Sequence, residues 1–385
     1  TIVDPRNLTQ DRQSSIDVAY VRLLGTVETT AHVGYKDYKY IGDFYYDPAI
    51  LGQDKTLGRW WTADLKGVTS AGRHKLVFGA EYQRNLRQDQ TNYDVQPYNL
   101  YLDDHRSSDV TGVFAQDDIA LTQKLTLSAG LRYDGYSGYG GSTGSDNEMS
   151  PRLGLIYHLS EPTVAKLLYG TAFRPPNVYE RFYSFPAVQV GNPELKPEKI
   201  QSTEAILETR LREATRLSFA VFHYRIKDLI DTGIDPVSGL EQFQNLSEAR
   251  TDGASVEIEH NMAMGLRLRA SYTYQNARDG EGDKLSNLPA HLAKLNVSLP
   301  LGWGLQAALE SQYTSRRETA LSNIPSYVLT NATVSTIKPW HGLDLALSVY
   351  NLADRNYYDP ADLGGSRDLM QQDGRTWRLQ ATYRF

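Results

Sequence analysis

The stretch LTLSAGLRYD, residues 125–134, alternates large apolar side chains with polar or small ones. Because successive side chains of a β-strand point to opposite faces of the sheet, this period of two predicts a strand with one apolar and one polar face. The same alternation returns in LRLRASYTYQ (266–275), WGLQAALESQY (303–313) and WRLQATYRF (377–385). The pattern predicts an all-β protein.

The composition excludes several other classes of protein. The chain has 385 residues, a mean hydropathy of −0.48 and no apolar run near the roughly 18 residues that a membrane-spanning helix needs. Its 11% aromatic content is too high for a disordered chain, and the lack of Cys removes disulfides, thiol nucleophiles and cysteine zinc sites. A net charge of −6 gives no basic surface for nucleic acid, and the eight His residues show no metal-ligand spacing. We therefore expect no cofactor, no metal site and no nucleic-acid partner.

The connections between the predicted strands alternate between short and long. Short connections are expected at residues 70–73, 121–124, 211–214, 300–302 and 338–342. Long connections are expected near residues 40–57, 88–107, 135–148, 173–199, 231–241, 277–288, 316–325 and 353–372. Outer-membrane barrels have this asymmetry, with tight periplasmic turns and long outer loops, whereas a soluble β-sandwich has no reason for it. The loop lengths therefore predict a transmembrane antiparallel β-barrel.

Two further properties of the predicted strands fit a lipid environment. Trp303 and Tyr313 lie ten residues apart on one apolar face, and this separation projects to roughly 23–25 Å along the membrane normal at a strand tilt of about 40–45°. The apolar band between the aromatic girdles of such barrels is about 25 Å tall. Since a lipid-facing arginine at the bilayer midplane costs about 2–4 kcal/mol, the alternation is expected to point Arg132 and Arg269 into the lumen.

The predicted strands number about seventeen, from residues 15–24 to residues 375–385, if 241–260 is one strand with a bulge near Ala249–Thr251. Bacterial single-chain barrels have an even number of strands, and a set that starts with an inward-running strand cannot close alone. We therefore expect residues 1–385 to be one partial barrel domain. A plug domain and about five strands of a 22-stranded barrel are expected before Thr1.

A pair of proline-containing motifs flanks one of the long predicted loops. The segment Phe173-Arg174-Pro175-Pro176 ends a strand, and Asn192-Pro193-Glu194-Leu195 precedes the next strand. Proline cannot donate to a central strand ladder, and it stiffens turns. The residues between the two motifs are therefore expected to form an ordered outer loop.

These two motifs resemble the FRAP…NPxL signature of TonB-dependent outer-membrane receptors. Three more stretches are similar to the same family and occur in the same order. They are EARTDGASVE (248–257), which resembles a bulged strand with an alternating run, NLADRNYYD (351–359), and the aromatic ending Tyr383-Arg384-Phe385. The resemblance covers essentially the whole chain, as the C-terminal part of the barrel.

The resemblance implies a location and a set of partners. The protein is expected in the outer membrane of a Gram-negative bacterium, in contact with outer-membrane lipid. It is expected to import a scarce small molecule actively, through an N-terminal plug on which the TonB complex acts. Tyr383 and Phe385 would be read by the barrel-assembly machinery. The resemblance implies no catalytic residue.

The candidate ligand contacts lie between the two halves of the signature. Haem receptors of the family carry a His there, and residues 173–195 contain none. The segment instead offers Arg174, Tyr179, Arg181 and Tyr183, which suit an anionic, aromatic ferric siderophore through charge-assisted hydrogen bonds and stacking. Cobalamin, haem or a glycan remain open as ligands. A structural role is also open, in which Arg174 pairs with Glu180 and the tyrosines pack the loop.

Other classes of function remain open from the sequence. A barrel of this kind could be a passive channel, or a receptor used only by phage or in adhesion. An outer-membrane hydrolase is a third class, because Gly140–Gly144 fits the pattern G-x-S-x-G. That segment lies in a Gly/Ser-rich loop without the strand-to-helix turn that makes such a serine reactive, so we expect no hydrolysis.

Overall fold

The computed structural model describes residues 4–47, 50–138, 145–262, 265–319, 321–361 and 368–384. The described part contains one short helix, α1, Val178–Phe182, and no helix long and apolar enough to cross a membrane. The strands are β1 Leu8–Leu24, β2 Val27–Asp47, β3 Ile50–Ala71, β4 His74–Asp94, β5 Asn99–Asp104, β6 Ser108–Ala120, β7 Leu125–Ser137, β8 Ser145–Ser160, β9 Thr163–Arg174, β10 Glu198–Arg212, β11 Thr215–Ile234, β12 Glu241–Asn261, β13 Arg267–Asp279, β14 His291–Gly302, β15 Leu305–Thr314, β16 Arg317–Glu318, β17 Asn323–Ile324, β18 Tyr327–Thr336, β19 Leu343–Tyr350, β20 Tyr358–Pro360, β21 Leu369–Gln371 and β22 Thr376–Tyr383.

Eighteen of these strands form one antiparallel sheet whose neighbours follow the order of the chain. β5 and β6 both pair with β4 and are therefore two parts of one crossing, so the sheet makes seventeen crossings. The pairs β16–β17 and β20–β21 are small hairpins outside this sheet. The predicted antiparallel order and number of crossings are confirmed.

The two edges of the sheet are β1 and β22. Within the described residues, β1 pairs only with β2, and β22 pairs only with β19. Every residue of both strands is exposed, and β1 begins at Leu8 rather than at residue 15. Unpaired backbone groups on an edge strand are ready to accept a further strand.

The two faces of the sheet differ in the way the sequence predicts. On β7, β8 and β9 the apolar side chains Leu131, Leu153 and Leu167 are 47%, 52% and 54% exposed instead of packed in a core. The opposite face carries paired charges, such as Arg269, whose guanidinium donates to Glu257 at 3.0 Å. An apolar outer face and a polar inner face are the arrangement of a transmembrane barrel, and the predicted fold class is confirmed.

The connections at one end of the sheet are tight turns, as predicted. Gly72-Arg73 joins β3 to β4, and Glu213-Ala214 joins β10 to β11. The connections at the other end include the long segment 175–197 between β9 and β10. This sorting identifies the long-loop end as the outer mouth of the barrel.

The loops predicted at 40–57 and 88–107 are largely strand in the structure. β2, β3 and β4 extend through most of these residues and are 21 or 22 residues long. A crossing strand needs about 9–11 residues, so the outer half of each strand projects beyond the apolar band. Both faces of that half meet polar surroundings, so aromatic and polar residues occur on both faces. The period-two pattern therefore disappears, and the strand has the sequence character of a loop.

Two local predictions are wrong. Trp303 does not belong to a strand but lies in the turn between β14 and β15, at φ 50° and 100% exposed. The bulge predicted near Ala249–Thr251 occurs slightly earlier in β12, where the register against residues 226–230 of β11 shifts opposite residues 245–249. Asp228 at φ 54° absorbs part of this irregularity on the β11 side.

Candidate ligand-binding site

The loop between β9 and β10, residues 175–197, is called the signature loop below. Its entry is rigid because Pro176 is completely buried and α1 follows at once. The Asn177 side chain accepts a hydrogen bond from the Glu180 backbone N–H at 2.9 Å, and the Glu180 carboxylate accepts one from the Asn177 N–H at 2.7 Å. This reciprocal capping box satisfies two backbone donors and fixes the first turn of the helix.

Arg174, the last residue of β9, joins the signature loop to the barrel wall. Its Nη1 donates to both carboxylate oxygens of Glu180 at 2.9 and 3.0 Å, and its Nε donates to Glu198 at 2.5 Å. Glu198 also accepts a hydrogen bond from the backbone N–H of Ile230 at 2.7 Å. The Arg174 charge is therefore matched by two carboxylates, and the structural pairing that the sequence left open is present. Phe173 beside it packs edge-to-face on a tyrosine of β7 at 5.7 Å.

The second half of the signature closes the loop around Arg181. This residue is 3% exposed, and its guanidinium donates to the Leu195 carbonyl at 2.7 Å. Leu195 is itself buried, and its N–H donates to the Asn192 carbonyl at 3.4 Å. A guanidinium enclosed in this way cannot reach a ligand. We therefore correct the expectation for Arg181, which the structure assigns to the interior of the loop.

On one side, the signature loop contacts the outer extensions of β3 and β4. The Tyr183 hydroxyl donates to Asp54 Oδ1 at 3.0 Å and accepts from Asn92 Nδ2 at 3.0 Å. The Gln90 side chain donates to the Val178 carbonyl at 3.1 Å. Since three crossings separate β4 from β9 in the sheet, the loop spans part of the mouth.

On the other side, the signature loop is tied to β12. The Val190 N–H donates to the Glu241 carbonyl at 2.9 Å, and the Glu241 N–H donates to the Val188 carbonyl at 3.0 Å. Asn245 accepts from the Lys196 N–H at 2.8 Å and donates to its carbonyl at 2.9 Å. Contacts with two separate walls hold the loop in one conformation before any ligand binds, which lowers the entropic cost of binding.

An aromatic cluster lies on the signature loop. The rings of Tyr179 and Tyr183 are 4.5 Å apart at 31°, and Phe243 of β12 meets Tyr179 edge-on at 5.9 Å and 67°. Tyr179 remains exposed although it takes part in both contacts. The cluster therefore offers a ring face and phenol hydroxyls at the mouth.

The electrostatics of this cluster keep its phenols protonated. Tyr179 is about half-buried, and this partial burial raises the pKa of its phenol. Burial together with the nearby Asp54 carboxylate raises the pKa of Tyr183. Burial also raises the pKa of Asp54, whose hydrogen-bond partners are neutral. Protonated phenols donate hydrogen bonds, so this part of the mouth provides rings, donors and acceptors rather than a free cation.

The structure brings together two of the four predicted contact residues, Tyr179 and Tyr183. The sequence analysis missed their partners Asp54, Asn92 and Phe243. All three lie in strand extensions whose polar character hides the period of two, and no motif marks them.

The terminal aromatic pair is described only in part. Tyr383 is the last residue of β22 and is exposed. Phe385 lies outside the described residues, as does the segment Gly140–Gly144. The role predicted for the two aromatic residues in barrel assembly stays a prediction.

Comparisons with known proteins agree with this architecture. Residues 6–352 match the family TonB dependent receptor-like, beta-barrel. Heme/hemopexin utilization protein C of Haemophilus influenzae (strain 86-028NP) is 27% identical over 368 residues, which cover 84% of this chain and 50% of that protein. The iron-regulated outer membrane virulence protein of Vibrio cholerae serotype O1 (strain ATCC 39315 / El Tor Inaba N16961) is 27% identical over 315 residues, which cover 75% and 46%. The solved copper transporter OprC has a TM-score of 0.81 at 16% identity, covering 98% of this chain and 66% of that chain.

The chain belongs to the TonB-dependent receptor β-barrel family, as its motifs predict. Its location is therefore the outer membrane of a Gram-negative bacterium, and the family consists of receptors and transporters rather than enzymes. The chain spans about half the length of the curated relatives it matches.

Proposed function

We propose that this chain is the barrel part of a TonB-dependent transporter that imports a small-molecule ferric siderophore. The proposal rests mainly on the signature loop, which is fixed across the mouth and carries the cluster of Tyr179, Tyr183 and Phe243. A metal chelate with aromatic or polar groups can stack on the rings and exchange hydrogen bonds with the phenols. Iron as the metal is supported by the name of the Vibrio cholerae relative.

Recognition at this loop depends on stacking and hydrogen bonds more than on positive charge. Arg174 is matched by Glu180 and Glu198, and Arg181 is buried. A strongly anionic ligand would find no unpaired cation among these residues. The chelate that fits is therefore neutral or weakly anionic where it touches the signature loop.

Active transport requires parts that belong to the rest of the receptor. We infer a plug domain inside the barrel and a segment that contacts the TonB complex, both before Thr1. Paired charges on the inner face, such as Arg132 with Glu81 at 2.7 Å, form a polar wall against which a plug can pack.

The proposal is tested by substituting Tyr179→Ala and Tyr183→Ala separately in the full receptor. Each loses a ring contact, and Tyr183→Ala also loses two hydrogen bonds, so siderophore affinity should fall by about tenfold or more. Tyr274→Ala, in the lipid-facing girdle, is the matched control and should bind normally. Binding is measured by fluorescence quenching with single ferric chelates. Unchanged affinity in both loop variants would remove the signature loop from the site.

The ligand class is tested by growth. A deletion strain complemented with the full receptor should grow on at least one ferric siderophore as sole iron source. Failure on every ferric chelate would overturn the iron assignment. A large ion conductance of the full receptor without TonB would support a passive channel instead.

A second candidate ligand is haem, because the Haemophilus influenzae relative is named for heme and hemopexin utilization. The signature loop has no His, but His105 lies exposed at the mouth between Asp89 at 3.2 Å and Asp103 at 3.1 Å. Growth on haemin that is lost in His105→Ala would favour haem. No growth on haemin would exclude it.

A further inference from the structure

The inner wall of the barrel carries a patch of aromatic and acidic side chains next to the signature loop. Asp11 of β1 lies opposite Tyr40 of β2 in the register of the sheet, and Asp54 belongs to the neighbouring strand β3. Two further aromatic residues lie on β2 and β3. We call the five residues Asp11, Tyr38, Tyr40, Asp54 and Trp60 the wall patch.

The wall patch faces the lumen. On the opposite face of the sheet, the rings of Tyr35 and Trp61 are 4.6 Å apart, and Trp61 is 47% exposed toward lipid. Side chains alternate between the two faces of a strand, so Tyr40 and Trp60 point inward. Asp54 has the same parity and accepts a hydrogen bond from the signature loop, which lies over the mouth.

Two glycines bring aromatic rings of the wall patch close to the backbone. A Cβ added to Gly42 would lie 2.5 Å from the Tyr40 hydroxyl, and one added to Gly58 would lie 3.2 Å from the Trp60 ring. Both side chains therefore lean along their strand over a glycine instead of standing upright. This posture leaves one face of each ring open to the lumen, and the faces of Tyr and Trp rings attract cations.

Both carboxylates of the wall patch have an oxygen that is not used. Asp11 accepts from the Tyr38 hydroxyl on Oδ1 at 2.5 Å. Asp54 accepts from Tyr183 and from Asn92, and both bonds go to its Oδ1. Neither aspartate forms an ion pair with a residue in the described ranges. The Oδ2 atom of each can therefore accept from an additional donor.

The charges around the wall patch are mainly negative. At and above the level of Trp60, the described lumen face of β1 to β4 carries three carboxylates, Asp11, Asp54 and Asp94, against one ammonium group, that of Lys36. Lys36 lies opposite Trp60, at the lower border of the patch, and forms no ion pair with Asp11 or Asp54. An excess of negative charge therefore remains on this part of the wall.

The tyrosines around the wall patch experience this negative charge. Burial, Asp54 and Asp11 raise the pKa of Tyr40. Burial, Asp54 and Glu241 raise the pKa of Tyr179 on the signature loop. Carboxylates that disfavour a phenolate favour a cation at the same place.

The wall patch is within reach of a ligand that lies on the signature loop. The ring of Tyr183 is 4.5 Å from that of Tyr179, and its hydroxyl is 3.0 Å from Asp54 Oδ1. A chelate stacked on these rings is therefore adjacent to the wall patch, and a short alkyl arm can extend from one to the other.

We propose that the wall patch binds a positively charged group, such as a primary ammonium, that the imported chelate carries on an arm. The body of the chelate rests on the rings of the signature loop, and the cation lies against the ring faces of Tyr40 and Trp60 with Asp11 and Asp54 beside it. This proposal rests on the proposed function, because it assumes that a chelate binds at the signature loop. It adds a charge requirement that the loop alone does not impose.

The test uses the full receptor and ferric chelates made in pairs. Each pair has one backbone, a linear trihydroxamate or a tris-catecholate. One member of the pair ends in a primary ammonium group, and the other ends in the acetylated, uncharged amide. Affinities are measured by fluorescence quenching. The ammonium member should bind roughly tenfold more tightly, because a cation gains from the ring faces and from the carboxylates. The readout is the ratio of the two affinities.

Two substitutions in the wall patch should lower this ratio. Asp11→Asn removes one charge and Tyr40→Leu removes one ring face, so each should lower the ratio about threefold or more. Tyr40→Phe keeps the ring face and should keep the ratio of the parent. Asp118→Asn is the matched control, because Asp118 faces the lumen from β6, outside the patch. Affinity for the acetylated chelate should stay the same in all four variants, which shows that they are folded.

The possible results separate this proposal from the proposed function. Equal affinity for the two members of a pair would overturn the proposal and leave chelate import intact. The same would follow if the parent, Asp11→Asn and Tyr40→Leu all gave one ratio. If no chelate of either pair bound, the proposed function would fail, and this proposal would fail with it.

Discussion

Asp54 makes the docking of the signature loop, meaning its contact with β3 and β4 through Tyr183, dependent on pH. Burial raises the pKa of this carboxyl, so the docked loop binds a proton more tightly than the undocked loop. Docking is therefore strongest at acidic pH and weakens as the pH rises through the raised pKa. We expect amide exchange in α1 to accelerate as the pH rises from the ordinary carboxyl pKa through the raised pKa of Asp54, by more than the intrinsic rate predicts. Asp54→Asn keeps the acceptor oxygen without the charge, so it should abolish the additional acceleration of amide exchange. An unchanged pH slope in this variant would show that Asp54 is not the group responsible.

Asn351 shows why a motif residue is an asparagine. It adopts φ 49°, and its side chain accepts from the Arg355 N–H at 2.8 Å and donates to the Arg355 carbonyl at 2.8 Å. Asn351→Ala keeps the strained backbone and loses both bonds, so unfolding should become easier by about 1–3 kcal/mol. The thermal midpoint of the full receptor measures this, with the exposed Asn356→Ala as the control. Equal midpoints for the two variants would show that the turn does not need these bonds.

At the level of elements, Arg317 connects three outer loops. Its guanidinium, 10% exposed, donates to Asn287 at 3.2 Å, to the Tyr327 hydroxyl at 3.2 Å, to the Tyr358 carbonyl at 3.1 Å and to Asp359 at 2.8 Å. Leaving the partners of a buried guanidinium without their hydrogen bonds costs about 1–3 kcal/mol. Arg317→Ala should therefore increase hydrogen exchange in residues 284–290 and 355–361 together.

The neighbouring Arg316 provides the control for this prediction. Its side chain donates to Asn323 at 3.2 Å in an exposed setting, so Arg316→Ala should leave both segments protected. Faster exchange in only one of the two segments of Arg317→Ala would mean that the loops are held independently.

The elements that the sequence predicts well are those with two different surroundings. β7 and β13 have lipid on one face and a polar lumen on the other. Their side chains therefore alternate between apolar and polar, and both strands can be predicted from the sequence. The outer parts of β2, β3 and β4 mix aromatic and polar residues on both faces and carry no such pattern. The Pro-containing signature located the loop correctly. The residues that the loop contacts, Asp54 and Asn92, belong to the outer parts of β3 and β4, which the sequence pattern does not predict. Contacts between distant polar segments leave no periodic trace in the sequence.

At the scale of the whole molecule, the two exposed edge strands predict that residues 1–385 do not fold stably on their own. β1 and β22 present unpaired backbone groups and apolar side chains such as Ile16 and Leu379. We expect residues 1–385 alone to aggregate in detergent, and the full receptor to give a compact species that migrates faster on a gel before heating. The same heat-dependent shift for residues 1–385 alone would contradict this expectation.

The attachment of the signature loop at two distant points of the rim has a consequence for entry. A segment held by Tyr183 on one wall and Asn245 on the other cannot swing aside as a hinged flap does, because both sets of bonds would have to break. A large particle that settles on the loop would therefore meet a stationary surface.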